Sequence, residues 1–135
     1  MKCTMSLVRG SSPLSYHRLG GAELDIIATL ELDPCQVERY LGPIADIQAA
    51  VQRGPAHSMV AIEASGAPVG FYVVHPDRRD RSCWWLGWFA VDLRQQGRGF
   101  GSLAMQAVID HLRRVSGCRR LRLFVAPENL RAWPL

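Results

Sequence analysis

The sequence predicts a mixed α/β domain, a central sheet carrying helices on its faces, and three observations predict it. An apolar run at 84–91 is followed by a glycine-rich turn, a stretch of helical spacing and a second apolar run at 121–125. Strand, crossover helix and strand make a βαβ unit, whose two strands are parallel. Ahead of it, the runs 58–63 and 68–74 flank a short turn at Ala64–Gly66, which is the pattern of an antiparallel hairpin. Ahead of the hairpin lie two regions with helical periodicity. Hairpin and crossover together require a sheet with both kinds of pairing.

Taken in order, residues 1–14 read as a poorly ordered lead-in and 15–135 as a single domain, long enough for one core. Residues 15–19 form a short first strand that Gly20 and Gly21 break. A helix is expected over 23–32 with Leu24, Ile27, Ala28 and Leu30 inward. Asp33 and Pro34 stop it or cap the next helix, proline being favoured at a first helical position. Val37, Tyr40, Leu41, Ile44, Ile47 and Val51 mark that second helical region, interrupted at Gly42 and Pro43. Gly54 and Pro55 end it. After the hairpin, the charged run 76–81 connects to the strand at 84. The helix from about Gly99 to Ser116 places Phe100, Leu103, Ala104, Ala107, Val108, Leu112 and Val115 on one face. Ser102, Gln106, Asp110, Arg113 and Arg114 take the other.

The turn VDLRQQGRGFG (Val91–Gly101) carries the chemistry. A glycine-rich turn opening a helix is an anion site, because the first helical N–H groups lack intrahelical acceptors and the helix dipole adds positive charge there. Gly97, Gly99 and Gly101 let backbone approach an anion with no Cβ in the way. The P-loop needs Lys then Ser or Thr after its glycine, and Arg98 is followed by Gly99. The dinucleotide fingerprint fits at Gly97 and Gly99 but has Ser102 at its sixth place, and no acidic residue ends a strand about 20 residues on.

The spacing Arg94, Gly97, Gly99 resembles the Arg/Gln-x-x-Gly-x-Gly/Ala pyrophosphate loop of the GNAT N-acetyltransferases. The preceding strand ends in Phe89, Ala90, Val91 and Asp92, as in that family. The later run APENLRA (Ala126–Ala132) resembles its Asn-x-x-Ala-x-x-Leu-Tyr motif. The element order, short strand, two helices, three strands, helix and strand, is also that of the family. The resemblance implies acetyl-CoA as co-substrate and a primary amine as acceptor, with no metal. It implies that Gln96, Gly97, Arg98, Gly99, Phe100, Gly101 and Ser102 hold the pyrophosphate, with Arg94 and Arg98 open to reading as phosphate contacts or as solvated charges. Phe89, Ala90 and Val91 would offer backbone groups to the pantetheine arm, where the fourth and fifth strands splay apart, and Asn129 would contact the same arm. The run WWLGWFAVD (Trp84–Asp92) with the glycine-rich turn after it is most similar to bacterial spermine/spermidine acetyltransferases, which makes polyamines the first acceptors to consider. The family continues with a helix and two further strands, which are expected to be missing here together with the motif's tyrosine, the usual proton donor to the leaving thiolate. An uncovered fifth strand would favour a homodimer through that edge. A non-catalytic acyl-CoA-binding domain or an inactive short acetyltransferase is the alternative.

No general base stands out. The strand position where the family often has a glutamate falls among Trp84 and Trp85. His57, His75 and His111 are each isolated in sequence, where a structural role is the simpler reading. Trp84, Trp85 and Trp88 read as core, or as the wall of an acceptor pocket with affinity for a cationic amine. Glu31, Asp33 and Glu38 read as solvated helix surface, or as an acidic acceptor pocket. Composition fits a globular protein, with 48% apolar and 21% charged residues. Residues 1–93 hold 8 Lys/Arg against 10 Asp/Glu, whereas 94–135 hold 8 Arg against 2 acids. That basic half would suit nucleic acid. It equally suits a field that draws a polyanionic co-substrate toward the loop, and nucleic acid is the less favoured reading. Cys3, Cys35, Cys83 and Cys118 are scattered without metal-site spacing, and no run approaches the ~20 apolar residues of a membrane span. A cytoplasmic protein with reduced thiols is expected.

Overall fold

The computed structural model describes residues 13–54, 56–114 and 117–123. Its centre is a five-stranded sheet in the order β1–β2–β3–β4–β5, formed by Leu14–Arg18, Ser58–Ala64, Ala67–Pro76, Cys83–Val91 and Arg120–Arg122. The first four strands pair antiparallel, and β5 pairs parallel to β4. The hairpin β2–β3 closes through Ser65 and Gly66 at φ 52° and 80°. Two successive positive φ values are what a two-residue turn needs to match the twist of its strands.

Between β1 and β2 lie a 3-10 helix, Gly21–Thr29, the short α1, Pro34–Gln36, a π-turn at Val37–Leu41, and α2, Ile44–Arg53. The 3-10 helix corrects the α-helix expected at 23–32. Leu24, Ile27 and Leu30 are buried at intervals of three, the period at which a 3-10 helix stacks its side chains, and that winding turns Ala28 out to solvent. Asp33 caps α1 by accepting from the Cys35 N–H at 2.9 Å, with Pro34 at the first helical position. The expected break at Gly42 and Pro43 is present, with Gly42 at φ 73°.

α3, Phe100–Arg114, crosses between β4 and β5. It buries Ala104, Met105, Ala107, Val108 and Leu112 against the sheet. Leu103, expected inward, is 41% exposed, because the stripe through 104, 105, 108 and 112 turns it to the far side. The sheet separates two cores. One gathers α3 with Leu14, Tyr16, Ile62, Tyr72 and Leu86. The other packs the 3-10 helix and α2 on Met59, Phe71, Val73 and Ala90. No helix among the described residues is long and apolar enough to cross a membrane. Residues 1–12 of the expected lead-in at 1–14, Val115 and Ser116 of the expected helix, and everything after Leu123, including Val125, the motif at 126–132 and Asn129, lie outside the described residues.

Candidate co-substrate site at the end of strand β4

β4 ends at Val91, and the chain turns through a single 3-10 turn, Leu93–Gln95, into α3. The turn is built on Asp92, which is 1% exposed. Its Oδ1 accepts from the Arg94 backbone N–H at 2.8 Å and from Arg94 Nε at 3.0 Å. Its Oδ2 accepts from the other arm of the same guanidinium at 2.8 Å and from the Glu31 N–H at 2.8 Å. The Asp92 N–H donates to Val69 at 2.7 Å and the Leu93 N–H to Glu31 at 2.6 Å. A carboxylate can be buried only with this many partners. The guanidinium fork of Arg94, followed by the two backbone N–H groups, holds its pKa down to about 2.

These contacts divide the two arginines. Arg94 is committed to Asp92 and lies 3.4 Å from Glu31 Oε2, so its fork fixes the loop. Arg98 is exposed and makes no ion pair among the described residues. Gln96 Nε2 donates to the Val91 carbonyl at 3.2 Å, folding the loop back on the strand end. Gly97 and Gly99 sit at φ 85° and 79°, where side-chain-bearing residues are strained. A Cβ built on Gly97, Gly99 or Gly101 would meet nothing within 4 Å. The glycines therefore leave open space in front of backbone, as a cradle for a ligand would. Helical bonding begins with the Leu103 N–H to Gly99 at 3.2 Å, which leaves the preceding N–H groups at the exposed start of α3.

Phe89 is half-buried against the α3 core, Ala90 is buried on the other face, and Val91 is half-buried. All three pair with β3, as Tyr72↔Phe89, Phe71↔Ala90 and Gly70↔Val91. On its other edge β4 pairs with β5 only from Cys83 to Trp85 among the described residues. The edge from Leu86 to Val91 therefore has no strand beside it among those residues. Phe100 packs on the α3 core, and Ser102 is exposed at the helix start.

The other candidates have specific places. His111 is half-buried at the edge of the α3 core, its Nδ1 2.8 Å from Tyr72 Oη, and burial, then Arg18 and Arg114, lower its pKa. Trp85 donates to Asp77 at 2.8 Å, and Trp88 to the Leu41 carbonyl at 3.1 Å. Trp84 packs into the α3 core. Glu31 faces Arg94, Asp33 caps α1, and Glu38 is exposed. The sequence does not announce that the Asp92 side chain and the Glu31 backbone anchor the loop. An aspartate directly after an apolar strand, two residues before an arginine, is a capping signal, but nothing in it announces burial. A further cavity of about 480 Å³ lies between the β1 corner and the end of α2, lined by Arg18, Leu24, Val51 and His57 among others.

Residues 24–135 match the family model of the acetyltransferase (GNAT) family. A spermine/spermidine N(1)-acetyltransferase of Bacillus subtilis is 38% identical over 48 residues, 36% of this chain. That segment spans 32% of the enzyme, about a third of its length. A chimera of spermidine N-acetyltransferase SpeG from Vibrio cholerae and hSSAT has a similar structure, with TM-score 0.73 and 16% identity over 91% of this chain and 76% of its own. A ribosomal-protein-alanine N-acetyltransferase from Escherichia coli superposes with TM-score 0.70 and 19% identity, covering 90% of this chain and 72% of its own.

Proposed function

This chain belongs to the acetyltransferase (GNAT) family, and on that premise we propose that it moves an acetyl group from acetyl-CoA to a primary amine. The observation that carries the reading is the loop 96–102. Two positive-φ glycines and a third glycine face open space at the start of a 15-residue helix, a shape that accepts the two charges of a pyrophosphate. In this reading the backbone of Gln96 to Ser102 holds the pyrophosphate and Arg98 adds charge. Arg94 acts at one remove, by fixing the loop through Asp92. The edge of β4 at Phe89, Ala90 and Val91, which has no strand beside it among the described residues, supplies hydrogen bonds to the pantetheine arm, and Asn129 is assigned to the same arm.

Transfer then needs few parts. A neutral amine attacks the thioester carbonyl, a C–N bond forms, and the C–S bond breaks to release the thiol. A backbone N–H of β4 steadies the oxyanion, and holding both substrates in one slot supplies proximity. Polyamines are the first acceptors we assign, supported by the spermine/spermidine and spermidine enzymes among the relatives. A protein N-terminus or lysine is the second, supported by the ribosomal-protein-alanine enzyme.

Calorimetry with CoA and with duplex DNA at matched salt, followed by an amine panel read by thiol release, tests the proposal. Saturable CoA binding and thiol release with spermidine or spermine are expected. Salt-dependent DNA binding without CoA binding would overturn it. CoA binding without turnover on any amine would leave a non-catalytic acyl-CoA-binding domain.

A further inference from the structure

β4 departs from a regular ladder at its middle. Val73 stands opposite Trp88 but Val74 stands opposite Leu86, so Gly87 is the extra residue of a bulge, and it is exposed. A bulge loosens the ladder and re-aims its neighbours, and such irregularities gather beside active sites. With no side chain, Gly87 lets another group come close to the strand's backbone on that face.

The group standing over it is the His75 imidazole. A Cβ placed on Gly87 would lie 3.5 Å from His75 Cδ2 and 3.6 Å from Nε2. Two contacts orient the ring. Nδ1 lies 3.2 Å from the Pro76 carbonyl oxygen, which can only accept, so Nδ1 carries the hydrogen and Nε2 keeps a free lone pair. On its other flank the His57 ring stacks at 4.3 Å between centroids and 23° between planes. Two imidazolium ions so stacked would repel, and His57 has its pKa lowered by burial first and by His75 second.

We propose that His75 is the proton-accepting residue of the transfer reaction, its Nε2 taking the proton of the amine that attacks above Gly87. The assignment rests on the acetyl-transfer reading of this chain. The amine lone pair forms the C–N bond, the C–S electron pair leaves on sulfur, and one N–H proton passes to Nε2. Its return from the ring to the thiolate gives free thiol and restores the neutral imidazole. Among the described residues, His57 from the loop before β2 is the ionisable group stacked on the ring, and Asp77 just past β3 and Arg122 on β5 lie one side chain further away. The last two reach Trp85, which stands opposite His75 in the ladder.

His75→Gln keeps a polar side chain of similar reach but accepts no proton near neutral pH. The expected result is an approximately 100-fold loss of kcat, with acetyl-CoA affinity within about twofold of wild type. His75→Ala should regain part of its rate on addition of imidazole. Wild-type kcat in His75→Gln would overturn the assignment of His75 and leave acetyl transfer standing. A wild-type chain that binds acetyl-CoA but releases thiol with no amine would overturn both.

Discussion

At its C-terminal end β4 runs into a loop whose working groups lie within eleven consecutive residues, Asp92 to Ser102, and share one turn and one helix start. Halfway along the same strand, Gly87, His75 and His57 come from three separate stretches, joined by a bulge, a ring stack and a carbonyl contact. The first region is held by a buried carboxylate that collects its backbone, and the positions proposed to face the ligand are glycines. The second is made of side chains, and its geometry depends on strand register. One is set by local spacing and the other by tertiary placement, so they should fail differently when altered.

The largest effect should come from the anchor of the first region. Asp92→Ala leaves the Glu31 N–H without its acceptor and frees the Arg94 fork, which should lower unfolding stability by about 2–3 kcal/mol and abolish tight acetyl-CoA binding. Denaturant titration with calorimetry checks both. Because folding holds the Asp92 pKa at about 2, below its ordinary 3.8, its contribution is present above the higher value and lost as pH falls through the lower one. Stability of wild type should therefore fall between these values, and Asp92→Asn should flatten that part of the curve.

Next come the glycines, which separate strain from occlusion. Gly99→Val forces a branched residue to φ 79°, costing about 1–2 kcal/mol in the loop itself, so its loss of binding mixes two causes. Gly101→Ala sits at a helical position with nothing within 4 Å of the new methyl group. It should stabilise the chain by about 0.5–1 kcal/mol while weakening acetyl-CoA by about tenfold. A Gly101→Ala protein that binds as tightly as wild type would show that the ligand does not meet backbone there. The smallest effect belongs to Arg98→Gln, an exposed charge, for which about a threefold loss is expected, shrinking at high salt. Isothermal titration at two ionic strengths would reveal it.

This contrast also explains what could be read from the sequence. The hairpin, the crossover helix and the loop depend on turn residues and apolar period, which short windows carry, and all three are present. Leu24, Ile27 and Leu30 read equally well at a spacing of three or of three-and-four, and packing on Phe71 and Val73 selected the tighter winding. Arg94 read as a phosphate contact or a solvated charge, and its pairing with Asp92 was not legible, because nothing local says that Asp92 is buried and must be paired. His57 and His75 looked isolated because 17 residues separate them, and only the return of β3 beside the start of β2 stacks their rings.

Glu31 spends both of its backbone groups on the loop across from it, its N–H on Asp92 and its carbonyl on the Leu93 N–H. The loop that starts α3 thereby belongs to the same opening unit as the segment entering α1, although the two serve opposite faces of the sheet. In amide exchange they should unlock together, and a ligand that quiets one should slow exchange in the other, with no change in either conformation.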